Sequence, residues 1–216
     1  MRKNVRKFIE IVNNSFKFDE PIVEIGSFQV EKQERIADLR PIFRDKKFIG
    51  TDIRMGKGVD RIEDCENLLF KDKSIGSILA LETLEHVQNP IQALSEFYRV
   101  LKNEGTVVIS SAMDFPIHEY PSDYWRFTPS AFSFLLKKFP IRIIGWQGVK
   151  EHPHTIFGIG IKSKNFEKYS KIFAHFNENM EKNGKQILLK PFHYKISETL
   201  SLLLNMGKRR FDIEFS

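Results

Sequence analysis

The alternation of apolar and polar positions divides the chain into short apolar runs separated by charged stretches of helical period. Residues 21–26 (PIVEIG) are apolar, partly β-branched and end in Gly, which predicts a strand. Residues 29–40 are charged with Val30, Ile36 and Leu39 interspersed, which predicts an exposed helix stopped before Pro41. Residues 48–53 (FIGTDI) predict a second strand, and Gly56 and Gly58 mark a loop. Residues 75–81 (IGSILAL) are nearly all apolar or small, as a strand covered on both faces requires. A helix follows: Asn89 can cap it, Pro90 suits its first position, and Gln92 stands where a capping box wants Glu or Gln. Ile91, Leu94, Tyr98 and Leu101 fall on one face of it, and Gly105 lies just beyond its end. Residues 106–110 (TVVIS) predict the next strand, and Thr128 and Pro129 open a helix carrying Phe132, Leu135, Leu136 and Phe139. Residues 141–146 and 155–161 predict two strands joined by a loop too short for a helical crossover, hence antiparallel to each other.

This succession predicts an open, mostly parallel α/β sheet. Such sheets bind ligands at the carboxyl ends of their strands, so chemistry is expected just after Ile25, Ile53, Leu81 and Ile109. Beyond residue 164, Phe166, Tyr169, Ile172, Phe173 and Phe176 have helical spacing, as do Ile196, Leu200, Leu203 and Leu204 before the basic residues 208–210. The tail reads as a helical appendage packed on the domain or on a second copy of the chain, a homodimer. The other reading is peripheral contact with a membrane through an amphipathic, basic-ended segment; Glu198 and the modest number of basic residues favour the first.

Composition narrows the class. At 216 residues, 41% hydrophobic and 29% charged, the chain can build a core and is not wholly disordered. Its single cysteine, Cys65, excludes a disulfide framework and a Cys-rich zinc site. The first residues are basic without a sustained apolar stretch or a small-residue cleavage site, so no signal peptide is read and a cytoplasmic location is expected. The net charge of +6 collects at Arg2, Lys3, Arg6, Lys7 and residues 208–210. No zinc-finger spacing, RNP-type motif or GxxG clamp accompanies it, so it reads as a solvated surface and nucleic acid is not the expected partner.

Candidate chemistry sits at the predicted strand ends. Gly26 after the first strand lets the backbone pass close to a ligand, but Ser27, Phe28, Gln29 and Val30 follow where a dinucleotide motif has further glycines. Asp52, at the tip of the second strand, can accept from two ribose hydroxyls, since a carboxylate is acceptor-only. Asp60, Glu63 and Asp64 compete as acceptors for an adenine amino group. The loop after residue 110 contains HEYPSDYWRF, which offers aromatic walls (Phe115, Tyr120, Tyr124, Trp125), polar groups for an acceptor (Asp123, Arg126) and a candidate base (His118). Trp125 and Phe127 read as anchors of the loop, and His86 is a weaker candidate base. Glu151, His152 and His154 lack metal-ligand geometry, and no metal is expected.

EIGS after the first strand, an Asp ending the second, then LETLEHVQNPIQALSEFYRVLKNEGTVVIS and the DFPIHEYPSDYWRFTP run resemble a class I S-adenosylmethionine-dependent methyltransferase of the type 11 group, over roughly residues 20 to 160. The resemblance implies a Rossmann-like sheet, strand order 3-2-1-4-5-7-6 with an antiparallel last strand. It implies a methyltransferase domain over residues 1–162 (a first helix about 1–18) and a helical appendage over 163–216. It implies that Glu24, Gly26 and Ser27 line the methionine and ribose, that Asp52 holds the ribose with Ile53 on the adenine, and that Asp64 and Cys65 flank the adenine amino group. Leu81 and Glu82 would lie beneath the sulfonium, and His86 near the cavity mouth. The implied activity is methyl transfer to a small polar acceptor, an oxygen of a sugar, glycan precursor or other small metabolite, giving S-adenosylhomocysteine. A silent cofactor-binding interaction protein is the alternative, and a nucleic-acid methyltransferase a remoter one.

Overall fold

A computed structural model describes residues 1–118, 121–149, 151–184, 192–195 and 213–215. The chain opens with helix α1 (Lys3–Ser15), whose Val5, Phe8, Ile9 and Val12 recur at helical spacing and are buried. Strands β1 (Ile22–Ile25), β2 (Phe48–Asp52), β3 (Arg61–Ile62), β4 (Ile75–Leu81) and β5 (Leu101–Ala112) pair in parallel. Strands β6 (Ile141–Val149) and β7 (His152–Ile161) form an antiparallel hairpin, and β7 inserts antiparallel beside β5. The order is therefore β3-β2-β1-β4-β5-β7-β6, with β8 (Phe192–Lys195) and β9 (Ile213–Phe215) both pairing with β6 at the far edge.

The sheet separates two apolar layers, and strand alternation decides which residue enters each. Ile22, Leu79, Leu81 and Val108 face α1 and helix α5 (Phe166–Gly184). Val23, Ile78, Ala80, Val107 and Ile109 face helices α3 (Pro90–Val100) and α4 (Pro129–Leu135). Every residue of β4 is buried, as its unbroken apolar run requires.

Both helix starts follow their punctuation. The Asn89 side chain accepts from Gln92 N–H at 3.1 Å, and Thr128 Oγ1 accepts from Ala131 N–H at 3.2 Å. Glu66 supplies the reciprocal arm at the first, its Oε1 accepting from Asn89 N–H at 2.9 Å. The buried face of α3 is Ala93, Leu94, Phe97 and Val100; Ile91, expected on it, is 55% exposed.

Residues 29–40 do not form the expected helix. They hold one helical turn, α2 (Glu34–Ala37), and a 3-10 turn over Arg40–Ile42. Lys32 takes a positive φ of 67°, and the Gln33 side chain caps nothing, so a helix spanning this stretch does not start. The sheet face there is covered instead by α1, whose Arg6 Nη1 donates to the Ile36 carbonyl at 3.0 Å and also to that of Asp38. β3 supplies the third strand that the expected order requires and that the residue pattern alone did not mark.

In the tail, α5 is the helix that residues 166–176 predicted. Tyr169, Phe173, Phe176 and Met180 join the α1 layer, with Phe16 and Phe176 5.5 Å apart between ring centres. The helix expected around Ile196 to Leu204 lies outside the described residues. Among the described residues no helix is long and apolar enough to cross a membrane.

Candidate active site

The carboxyl ends of β1, β2, β4 and β5 open into one cavity of about 410 Å³. At the end of β1 the chain turns at Gly26 with φ +77°. A Cβ there would lie 2.5 Å from Thr83 Oγ1, so both the turn and the crossing of the β4 loop require glycine. Thr83 Oγ1 fastens that loop by donating to the Ile25 carbonyl at 3.0 Å. Glu24 and Ser27 line the cavity and are buried. Burial pushes the Glu24 carboxyl up to about 8, opposed by the charge of Arg40. Ser27 Oγ has no hydrogen-bond partner, a donor and acceptor held ready for a polar ligand.

Asp52 ends β2 with its carboxylate on the cavity wall, where Oδ2 accepts from Phe28 N–H and Oδ1 from Arg54 N–H, each at 3.3 Å. Ile53 is 54% exposed and lines the same wall beside Phe28, over which the Arg54 guanidinium stacks at 4.1 Å. Cys65 lines the cavity, its thiol pushed up to about 12 by burial and therefore unreactive. Asp64 is a correction to the sequence reading. It is exposed, its Oδ1 accepts from Glu66 N–H at 2.8 Å, and Glu63 lines the cavity in its place. Glu63 is buried because Leu69 N–H donates to it at 2.8 Å and Arg61 pairs with it.

Leu81 and Glu82 form part of the lining at the end of β4. Glu82 has φ +54° and holds Arg2 through two bonds of 2.7 and 3.1 Å. Arg2, read in the sequence only as part of a basic terminus, thus lines the cavity together with Met1. Eighty positions separate Arg2 from Glu82, and no local pattern announces the pair.

The remaining wall comes from the β4 and β5 loops. His86 and His118 both line it, their rings 4.8 Å apart and nearly perpendicular. His86 Nδ1 lies 2.6 Å from the Ser122 carbonyl, and burial holds its pKa below the ordinary value. His118 Nδ1 lies 3.1 Å from the Pro116 carbonyl and 3.2 Å from Asp123 Oδ2. Behind them Glu85, which the sequence reading passed over, is fully buried with neither carboxylate oxygen hydrogen-bonded. The neighbouring Ser111 hydroxyl lies close to Glu85 and also 3.5 Å from the Ala112 carbonyl. Burial, joined by the charge of Glu82, raises the Glu85 carboxyl well above the usual carboxylate range.

Three residues expected to bind the acceptor are placed differently. Asp123 has a side chain only 1% exposed, gripped by Arg126 through bonds of 2.5 and 2.7 Å, which holds it below the usual carboxylate range. Arg126 also donates to the Phe115 and Pro116 carbonyls, so the pair clamps the loop and does not line the cavity. Tyr124 is 50% exposed, away from the cavity, its N–H donating to the Glu85 carbonyl at 2.8 Å. Tyr120 lies outside the described residues. The loop anchors stand as expected: Phe127 is buried, and Trp125 Nε1 donates to the Val87 carbonyl at 2.8 Å. His152 and His154 lie 3.8 and 3.2 Å from Asp114, outside the cavity lining.

Comparison with known proteins agrees with this geometry. Residues 38–109 match the methyltransferase domain family of type 11. Among solved structures, a SAM-dependent methyltransferase from Thermotoga maritima, described as a possible histamine N-methyltransferase, is 20% identical. The match covers 73% of this chain and 91% of that one, with a TM-score of 0.52. The YcgJ protein of Bacillus subtilis is 13% identical over 76% of this chain and 100% of its own, with a TM-score of 0.55. A SAM-dependent methyltransferase from Archaeoglobus fulgidus is 16% identical over 73% and 94%, with a TM-score of 0.52. No curated protein matches the chain. Residues 38–109 thus match a methyltransferase domain family, and the strand order of the whole sheet is the fold of the solved SAM-dependent methyltransferases to which the chain is similar.

Proposed function

We propose that the chain transfers a methyl group to an oxygen of a small polar acceptor, a sugar or glycan precursor. The observation that carries this reading is that one cavity joins an acidic, strand-tip half and a histidine half. The first half suits the methyl donor. Ser27 Oγ is an orphaned polar atom, Gly26 leaves space no Cβ permits, and Glu24, Asp52 and Glu63 are carboxyls on the wall. Asp52 would hold the ribose hydroxyls, Ile53 and Phe28 would wall the adenine, and Glu24 and Glu82 would face the cationic methionine end. When bound, S-adenosylmethionine supplies an electrophilic methyl carried on a sulfonium.

The protein's work is to hold donor and acceptor in line and to take a proton from the acceptor. His118 is the better placed base. Its Nδ1 is directed to Asp123 and Pro116, which leaves Nε2 as the free acceptor nitrogen, and its side chain is 31% exposed in the cavity wall. His86 stands beside it as the second candidate. The Asp123–Arg126 clamp positions His118, because Asp123 Oδ2 also accepts from His118 N–H at 2.9 Å.

Calorimetric titration with S-adenosylhomocysteine tests the donor half. Micromolar binding that Asp52→Ala weakens at least tenfold is expected, and no binding by folded protein would sink the reading. Labelled methyl incorporation into a glycan-precursor fraction tests the acceptor half. Donor binding without incorporation into any extract fraction would favour the silent interaction protein.

A further inference from the structure

Glu85, His86 and His118 each offer one ligating atom, and these atoms all lie within 4.8 Å of one another. Glu85 is fully buried and neither carboxylate oxygen has a well-formed hydrogen-bond partner, though the Ser111 hydroxyl lies close, a costly state unless something satisfies them. The two histidines are already arranged as ligands are. A carbonyl at 2.6 Å from His86 Nδ1, and a carbonyl and a carboxylate at 3.1 and 3.2 Å from His118 Nδ1, fix the tautomer and leave each Nε2 its lone pair. The nearby guanidinium groups that would repel a cation are engaged, Arg126 on Asp123 and Arg2 on Glu82.

We propose that Glu85, His86 and His118 form a binding site for a divalent transition-metal ion, with a coordination position open to the cavity. Two imidazoles and one carboxylate make up a donor set of catalytic zinc sites, which keep one position for water or substrate. Bonds of about 2.0–2.1 Å in tetrahedral geometry place ligand atoms about 3.4 Å apart, so loading draws the side chains together by roughly an ångström. His118, on a loop and partly exposed, can supply that movement. The consequence for catalysis rests on the methyl-transfer reading. When bound, the ion would polarise an acceptor hydroxyl, and the two histidines would act as its ligands in place of the base role open to His118 in the metal-free protein. The hydroxyl proton leaves to water, the oxygen forms its bond to the methyl carbon, and the electron pair of the broken C–S bond stays on sulfur.

The test uses the whole 216-residue chain, tag-free and stripped with EDTA, and contains no methyl donor, so failure of the methyl-transfer reading leaves it intact. Zn²⁺ alone is titrated by calorimetry, and Co²⁺ is followed by visible absorption. One ion per chain is expected, with affinity at least tenfold weaker in His118→Ala and in His86→Ala, each checked by circular dichroism to be folded. The His152→Ala/His154→Ala double variant removes the rival pair beside Asp114 and is expected to bind like the parent. Unchanged affinity in folded His118→Ala, loss of binding in the double variant, or no uptake by the parent protein overturns the proposal.

Discussion

Glu24 is a buried acid with a carboxyl pushed up to about 8, and its folded and unfolded pKa values therefore differ in a definite direction. An acid whose pKa is raised on folding stabilises the protein fully below its unfolded value, near 4.5, and loses that contribution as pH rises through about 8. The ligand-free protein is expected to lose melting temperature between about pH 5 and pH 8 for this reason, with Glu24→Gln flattening the slope. Thermal melts across that range check it, and equal slopes in both proteins would refute it. A cationic donor beside Glu24 favours the ionised form, so binding near neutral pH should release protons. Calorimetry in buffers of different ionisation enthalpy reads that release. Residue positions were legible in the sequence where a strand tip fixes them, as at Gly26 and Asp52, which both line the cavity. They were not legible where register or distant pairing decides. The one-residue step from Glu63 to Asp64 reverses which carboxyl meets the cavity, and Asp123 is hidden by the Arg126 it clamps. Glu85 escaped notice because a carboxyl in a loop sequence reads as solvated, whereas the Tyr124 and Trp125 N–H groups fold the loop over it.

At the level of elements, local chemistry carried as far as local chemistry acts. Asn89 and Thr128 cap the helices they precede, and the unbroken apolar run of β4 lies between both layers. Asn89→Ala removes a cap bond and is expected to cost about 1 kcal/mol in denaturant unfolding, with donor affinity unchanged. Asn89 supports α3 from outside the cavity, so an equal loss of donor binding would contradict the placement. The stretch 29–40 misled because its three apolar residues suit a helix, while the positive φ at Lys32 and the extended Asp38 leave room for only single turns. The apolar face of α3 was likewise shifted, since Ala93 packs inward where the larger Ile91 does not.

Over the whole molecule the N-terminal and C-terminal helices share one layer. Phe8 meets Phe157 at 4.2 Å and Phe176 at 6.3 Å, which couples α1, β7 and α5 into a single packing unit. Phe173, 1% exposed in that layer, is expected to cost about 3–5 kcal/mol on truncation to alanine. Lys171, whose partner Glu167 is 84% exposed, should cost almost nothing when replaced by alanine. Urea unfolding of the two variants side by side checks the contrast, and equal losses would place α5 outside the core. Shared packing of this kind comes from tertiary contact between segments more than 150 positions apart, which is why the sequence showed the helix of the tail but not the layer it completes.

Met1 and Arg2, just ahead of α1, line the cavity itself, and that placement has a practical consequence for every assay of this protein. A peptide fused ahead of Met1 emerges at the cavity wall, within reach of the pocket. A polyhistidine purification handle there would compete for any ion and crowd any substrate, so apparent inactivity or apparent metal uptake by an uncleaved fusion would report on the handle, not the enzyme.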